Sequence, residues 1–197
     1  MSIPANTRRM PERATAPPPS DALRKAGRIA FAWVVVFIAF HVYWALGGKF
    51  GFGDATKTQP TAHSPAEWIG SIIVDIMFAV GTAVPLALYQ RWGRRVPAWM
   101  LAWCCWIGAS ILLLRGFAGV LDTSLRGTGL AHRGLTGLTY QQELGVAHPS
   151  AYTLWSGTAI DLYFTLGGIL FLVAAIAHHR SRRRAPDTPP SPADTAR

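Results

Sequence analysis

The chain has 197 residues, of which 50% are hydrophobic and 15% charged, and its formal net charge is +9. That composition is too apolar for an ordinary soluble domain, and the stretches left between long apolar segments are too short to build a second catalytic domain with its own core. The basic excess does not indicate a nucleic-acid partner, because it is divided among separate segments rather than gathered on one surface.

Residues 1–28 mix Pro, Ala, Ser, Thr and Arg without apolar periodicity, and Pro17, Pro18 and Pro19 break any regular helix there, so a disordered basic tail is expected. The first apolar stretch, 29–46, approaches the roughly 20 helical residues that a bilayer core of about 30 Å requires. It reads as a retained span, since the region before it is long and contains a Pro-Pro-Pro, and the stretch outlasts a signal-peptide core. Further spans are predicted at 67–89, 97–120 and 152–177, and a second disordered basic tail over 179–197. The result is an all-α, four-helix transmembrane bundle occupying 29–178. Pro85 should bend the second span, and the short connection from Gln90 to Val96 predicts spans two and three as antiparallel neighbours.

Charge sets the orientation. Of the 19 basic residues, only Lys49, Lys57, Arg115, Arg126 and Arg133 lie outside the two tails and the connection between spans two and three. The positive-inside rule therefore places both termini in the cytoplasm of a multi-pass cell-membrane protein whose principal partner is the lipid bilayer. The two outer connections, 47–66 and 121–151, are rich in glycine and turn residues. The longer one carries a loose echo, Arg126-Gly127-x-Gly129-Leu130 against Arg133-Gly134-x-x-Gly137-Leu138, and a short helix is expected around Thr139 to Leu144.

Each span contains one ionisable residue in its outer half: His41, Asp75, Arg115 and Asp161. At a rise of about 1.5 Å per residue the four lie within roughly two helical turns in depth, so they can meet. Residues spaced three and four apart give each span a polar or small face: Glu67, Ser71, Asp75 and Thr82 in the second, Thr158, Asp161, Thr165 and Gly168 in the fourth. Tyr43 and Trp44, beside His41, are candidates to line an outer pocket. Charges at membrane depth are costly unless paired or facing a cavity. Three readings follow: a buried ionic network that fixes helix register, a site for a small ligand or for pH sensing, and a membrane-embedded enzyme using Asp and His as acid and base on a lipid-soluble substrate.

No cofactor is expected. His41 is the only histidine well inside a span, which leaves haem without facing ligands. His63, His132 and His148 fall in the outer connections at separations that match no metal-ligand spacing, so no metal is expected either. Cys104 and Cys105 are adjacent and point about 100° apart on a helix, as small buried apolar residues do.

The run His41-Val42-Tyr43-Trp44-Ala45-Leu46-Gly47-Gly48 resembles the opening signature of a family of small, four-spanning bacterial membrane proteins of unknown function. Leu114-Arg115-Gly116 and Asp161-Leu162-Tyr163 are similar to its later motifs, while a Tyr-Ser-Pro-like step near the fourth span is absent. The resemblance implies an integral four-helix membrane domain over about 30–178 and brings no established activity.

Overall fold

The computed structural model describes residues 20–57 and 65–183, so most of both predicted tails lies outside the described residues. Among those described the protein is helical, without strands. Four helices are long and apolar enough to cross a membrane: α1 (Asp21–Ala45), α2 (Pro65–Tyr89), α3 (Ala98–Gly127) and α5 (Ala151–Arg183). A 3-10 turn, Arg91–Arg95, joins α2 to α3, and the four-residue α4 (Tyr140–Glu143) lies in the long connection before α5.

Three helices reach further than the apolar signal, α3 by running on from 120 to Gly127 into the expected loop. α1 begins at Asp21 rather than 29, because Ser20 accepts a hydrogen bond from Leu23 N at 3.4 Å and Asp21 sits in the first turn, where its charge complements the helix dipole. Leu23 and Ala26 are buried there. α5 runs to Arg183, with Arg180, Arg182 and Arg183 in its last turn. Residues 21–28 and 179–183 are thus helix, not irregular tail. Hydropathy marks the hydrocarbon, whereas the cap marks the helix.

The short link between α2 and α3 does not make them close neighbours. α3 packs chiefly on α5, α1 lies between α5 and α2, and α2 meets α3 little. The 3-10 turn accounts for this: Gly93 is tucked against the Ala87 carbonyl, which turns the chain sharply before Pro97 and α3. Pro85 sits inside an unbroken α2, fully buried, with Gly27 of α1 opposite its carbonyl.

The α3/α5 seam is built from small residues. A Cβ on Gly116 would strike Asp161 O and the Thr165 hydroxyl, and one on Gly119 would strike the Asp161 carboxylate. Gly168 of α5 receives Leu113 in the same way. α1 is fixed to α5 by a reciprocal pair: Trp33 Nε1 donates to Tyr163 O at 3.1 Å and Tyr163 Oη donates to Trp33 O at 2.6 Å, with the two rings stacked at 4.9 Å. The basic start of α1, the basic end of α5 and the 3-10 turn lie at one end of the bundle, the basic end; the connections 46–57 and 128–150 lie at the other, the loop end.

Gly116→Ala is expected to cost about 1–3 kcal/mol, seen as a lower Tm in detergent, because the new methyl meets backbone. Gly157→Ala, where nothing lies within 4 Å, should be neutral or slightly stabilising.

Candidate functional site

α3 and α5 present Arg115 and Asp161 to one another across the glycine seam. Arg115 Nη1 donates to Asp161 Oδ1 at 2.6 Å, and the guanidinium lies 5.3 Å from the centroid of the Phe164 ring. The pair is asymmetric: the Asp161 side chain is 10% exposed and the Arg115 side chain 54%. Among the described residues no other oxygen bonds to the Arg115 fork.

The structure brings together these two of the four candidate residues. His41 lies among rings, 4.6 Å from Phe37, 4.7 Å from Phe78 and 5.6 Å from Trp44, and its buried Nδ1 has no hydrogen-bond partner among the described residues. Asp75 is exposed on α2 and forms no ion pair among the described residues. The hydroxyls of Thr158 and Thr165 turn back to their own helix, donating to Leu154 O and Asp161 O, each at 3.0 Å. Ser71 is exposed on α2, and the side chain of Glu67 lies outside the described set, as does His63.

A concavity under the loops is apolar. A cavity of about 510 Å3 lies between the loop-end parts of α1 and α5, lined by Phe37, Phe40, Trp44, Phe50, Gly51, Tyr152, Trp155, Ser156, Ala159, Ile160 and Tyr163. Tyr43 lines a shallower recess beside it with Ala39, Phe40 and Phe50. The segment 46–54 forms the cover, and the His41–Gly48 run explains how. Gly47, at φ +90, ends α1 in a conformation that side chains resist, and Gly48 leaves room for the Tyr43 ring. Trp44 Nε1 then donates to Phe50 O at 2.9 Å, and Tyr43 Oη accepts from Phe50 N at 3.4 Å.

The other edge of the cover is clasped to the start of α5. The Asp54 carboxylate accepts from Ser150 N at 2.9 Å, from Ser150 Oγ at 3.0 Å and from the Thr153 hydroxyl, while Asp54 N donates to Thr153 Oγ1 at 3.1 Å. These donors, the Thr153 hydroxyl foremost and Ser150 with it, hold the Asp54 carboxyl below its ordinary range.

A second cluster, not anticipated from the sequence, organises the long connection. The Arg126 side chain is 2% exposed; its Nε lies 2.7 Å from Asp122 Oδ2 and its Nη2 donates to Glu143 Oε2 at 2.7 Å, with the Tyr140 ring at 4.7 Å. Burial pushes the Tyr140 phenol above its ordinary value. α4 carries a full capping box between Thr139 and Gln142, so Thr139-x-x-Gln142 was a readable signal for the helix. Arg126 itself looked like one more loop charge.

Two measurements test these assignments. Asp54 has a lowered folded-state pKa, so its clasp contributes fully above the ordinary carboxylate range and fades as pH falls through the lowered value. The Tm of the parent should exceed that of Asp54→Asn near neutral pH, and the gap should close in acid. For the seam pair, Asp161→Leu alone is expected to lower Tm, and Asp161→Leu with Arg115→Met to restore part of it, since an orphaned charge costs more than a lost pair.

The family model described as "Protein of unknown function (DUF3995)" matches residues 34–134, from within α1 to just past α3, and so takes in the His41–Gly48 run and Arg115 but stops short of Asp161. No curated protein and no solved structure matches the chain. With half of its length covered by that model, the chain belongs to this family of proteins of unknown function.

Proposed function

We propose that this is a non-enzymatic protein of the cell membrane, with both termini cytoplasmic, that binds an apolar, membrane-soluble small molecule in the cavity beneath the 46–54 cover. The orientation follows from Arg24, Lys25, Arg28, Arg91, Arg94, Arg95, Arg180, Arg182 and Arg183, which gather at the basic end. The cavity carries the ligand assignment. Its size suits a small molecule, and seven of its eleven lining residues are aromatic.

The three hydroxyls that line it are already engaged. The Ser156 hydroxyl donates to Gly51 O, Tyr152 Oη accepts from Gly51 N at 3.2 Å, and Tyr163 Oη is bound to Trp33 O. A ligand therefore gains from ring contact and displaced solvent rather than from new hydrogen bonds. An Asp–His acid–base enzyme is less well supported, because His41 rests among rings and forms no ion pair with either aspartate.

Mass spectrometry of apolar compounds carried through purification tests the assignment. The parent should retain a compound that Ala159→Trp, which fills the cavity from α5, loses without a fall in Tm. Equal retention by both proteins, or none by the parent, would overturn it.

A further inference from the structure

The face of α2 that is packed at the basic end is bare at the loop end. Val74, Met77, Gly81, Val84 and Leu88 follow one another at spacings of three and four, so they form a single stripe. Val84 and Leu88 are 6% and 4% exposed, whereas Met77 and Val74 are 48% and 41% exposed, and a Cβ on Gly81 would meet nothing within 4 Å. On α3, Leu101 near the 3-10 turn is buried, whereas Arg115 toward the loops is half exposed. Leu101, Val84 and Leu88 share one buried core. α2 and α3 are joined through the 3-10 turn at the basic end yet meet little along their length, so the interval between them opens toward the loops as a wedge-shaped groove.

The floor of that groove comes from α1 and α5. Phe37 touches Phe78 of α2 at 5.5 Å and Phe164 of α5 at 5.3 Å, and the Arg115 guanidinium lies against Phe164. His41 rests on Phe37 and Phe78 at the same level. Asp75 is absent from it: two residues from Met77 on a helix, it points about 160° away. The groove thus has apolar walls, an aromatic floor and one guanidinium, whose Nη1 is held by Asp161 while its remaining donors make no bond to the described protein.

We propose that this groove is a binding site for one phospholipid of the loop-side leaflet, with an acyl chain between α2 and α3 and the phosphate on the open edge of the Arg115 guanidinium. Arginine presents paired donors in a planar fork that matches phosphate oxygens, and Asp161 fixes the fork from behind. Arg115 lies five residues before the hydropathic end of its span at 120, about 8 Å below it, which is within reach of a headgroup drawn slightly inward. Acyl chain and phosphate are joined in one molecule, and the groove offers a complement to both. The site adjoins the cavity under the loop cover at Phe37, which lines both, and shares no other lining residue with it.

The test is retention of phosphatidylglycerol after transfer from nanodiscs of phosphatidylcholine and phosphatidylglycerol into detergent, read by native mass spectrometry. The parent should keep one lipid through washing that strips the rest. Gly81→Phe, which blocks the groove without touching the ion pair, should reduce retention at least tenfold, and so should the double variant Arg115→Met/Asp161→Leu. Arg91→Met at the basic end and Ala159→Trp in the other cavity should retain the lipid as the parent does, which separates this site from the small-molecule site. Undiminished retention in Gly81→Phe or in the double variant, no lipid on the parent, or displacement by oleate in preference to the phospholipid would each overturn the proposal.

Discussion

The distance between α3 and α5 sets everything else in this fold. Hydrocarbon offers no hydrophobic drive for two apolar helices to associate, so they stay together through close packing and polar contacts. Glycine at 116 and 119 removes the side chains that would occupy the space of Thr165 and of the Asp161 carboxylate, and Leu113 fills the notch at Gly168 in return. Only at that separation does the arginine beside Gly116 reach Asp161. α5 then offers its other flank to α1 through Trp33 and Tyr163, and α1 in turn supports α2 through Phe37 and Phe78. The order of attachment runs from the seam outward, with α2 last.

Hydroxyls inside the spans obey a simpler rule. Thr82, Thr158 and Thr165 each donate to the carbonyl four residues earlier, as does Ser124 in the extension of α3, so their polar atoms are satisfied within one helix. A charged side chain has no such local solution and needs another helix or an opening to solvent or headgroups. That difference separates Arg115 and Asp161 from the threonines that share their faces. A periodic polar stripe is therefore weak evidence for a converging site.

The same physics decides what was legible in the sequence. Four long apolar helices were readable because hydropathy over about 20 residues is a bulk signal. Their ends were less so: Ser20-Asp21 is a two-residue capping signal inside an otherwise irregular segment, and α3 passes 120 to reach Gly127 with Arg126 buried under loop residues far along the chain. Helix adjacency misled, because the length of the 90–96 link bounds the separation of two helix ends but says nothing of how the helices diverge beyond them. Arg115 and Asp161 were recognisable from depth and facing. His41 and Asp75 had matching depth, yet a helical wheel cannot tell that Phe37 and Phe78 surround the one while the other turns away from the groove. The His41–Gly48 run was visible as a motif, but its work of ending α1 and pinning Phe50 depends on a loop whose path no periodicity encodes.

The two ends of the molecule divide their tasks accordingly. At the basic end, Val84, Leu88, Leu101 and Ala174 are packed together and the charges are spread over helix termini, an arrangement suited to anchoring. At the loop end the helices separate, and separation creates surfaces that must be filled: the α1/α5 opening receives the 46–54 segment, held by Trp44 on one side and Asp54 on the other, and the 128–150 connection is tied down by Arg126. These clasps join side chains and backbone of the loops to side chains of the helices. A bundle that needed only to stay folded would gain more from closing α2 onto α3 along their whole length. Keeping that wedge open, beside an arginine held from one side only, is the feature that stability alone does not require.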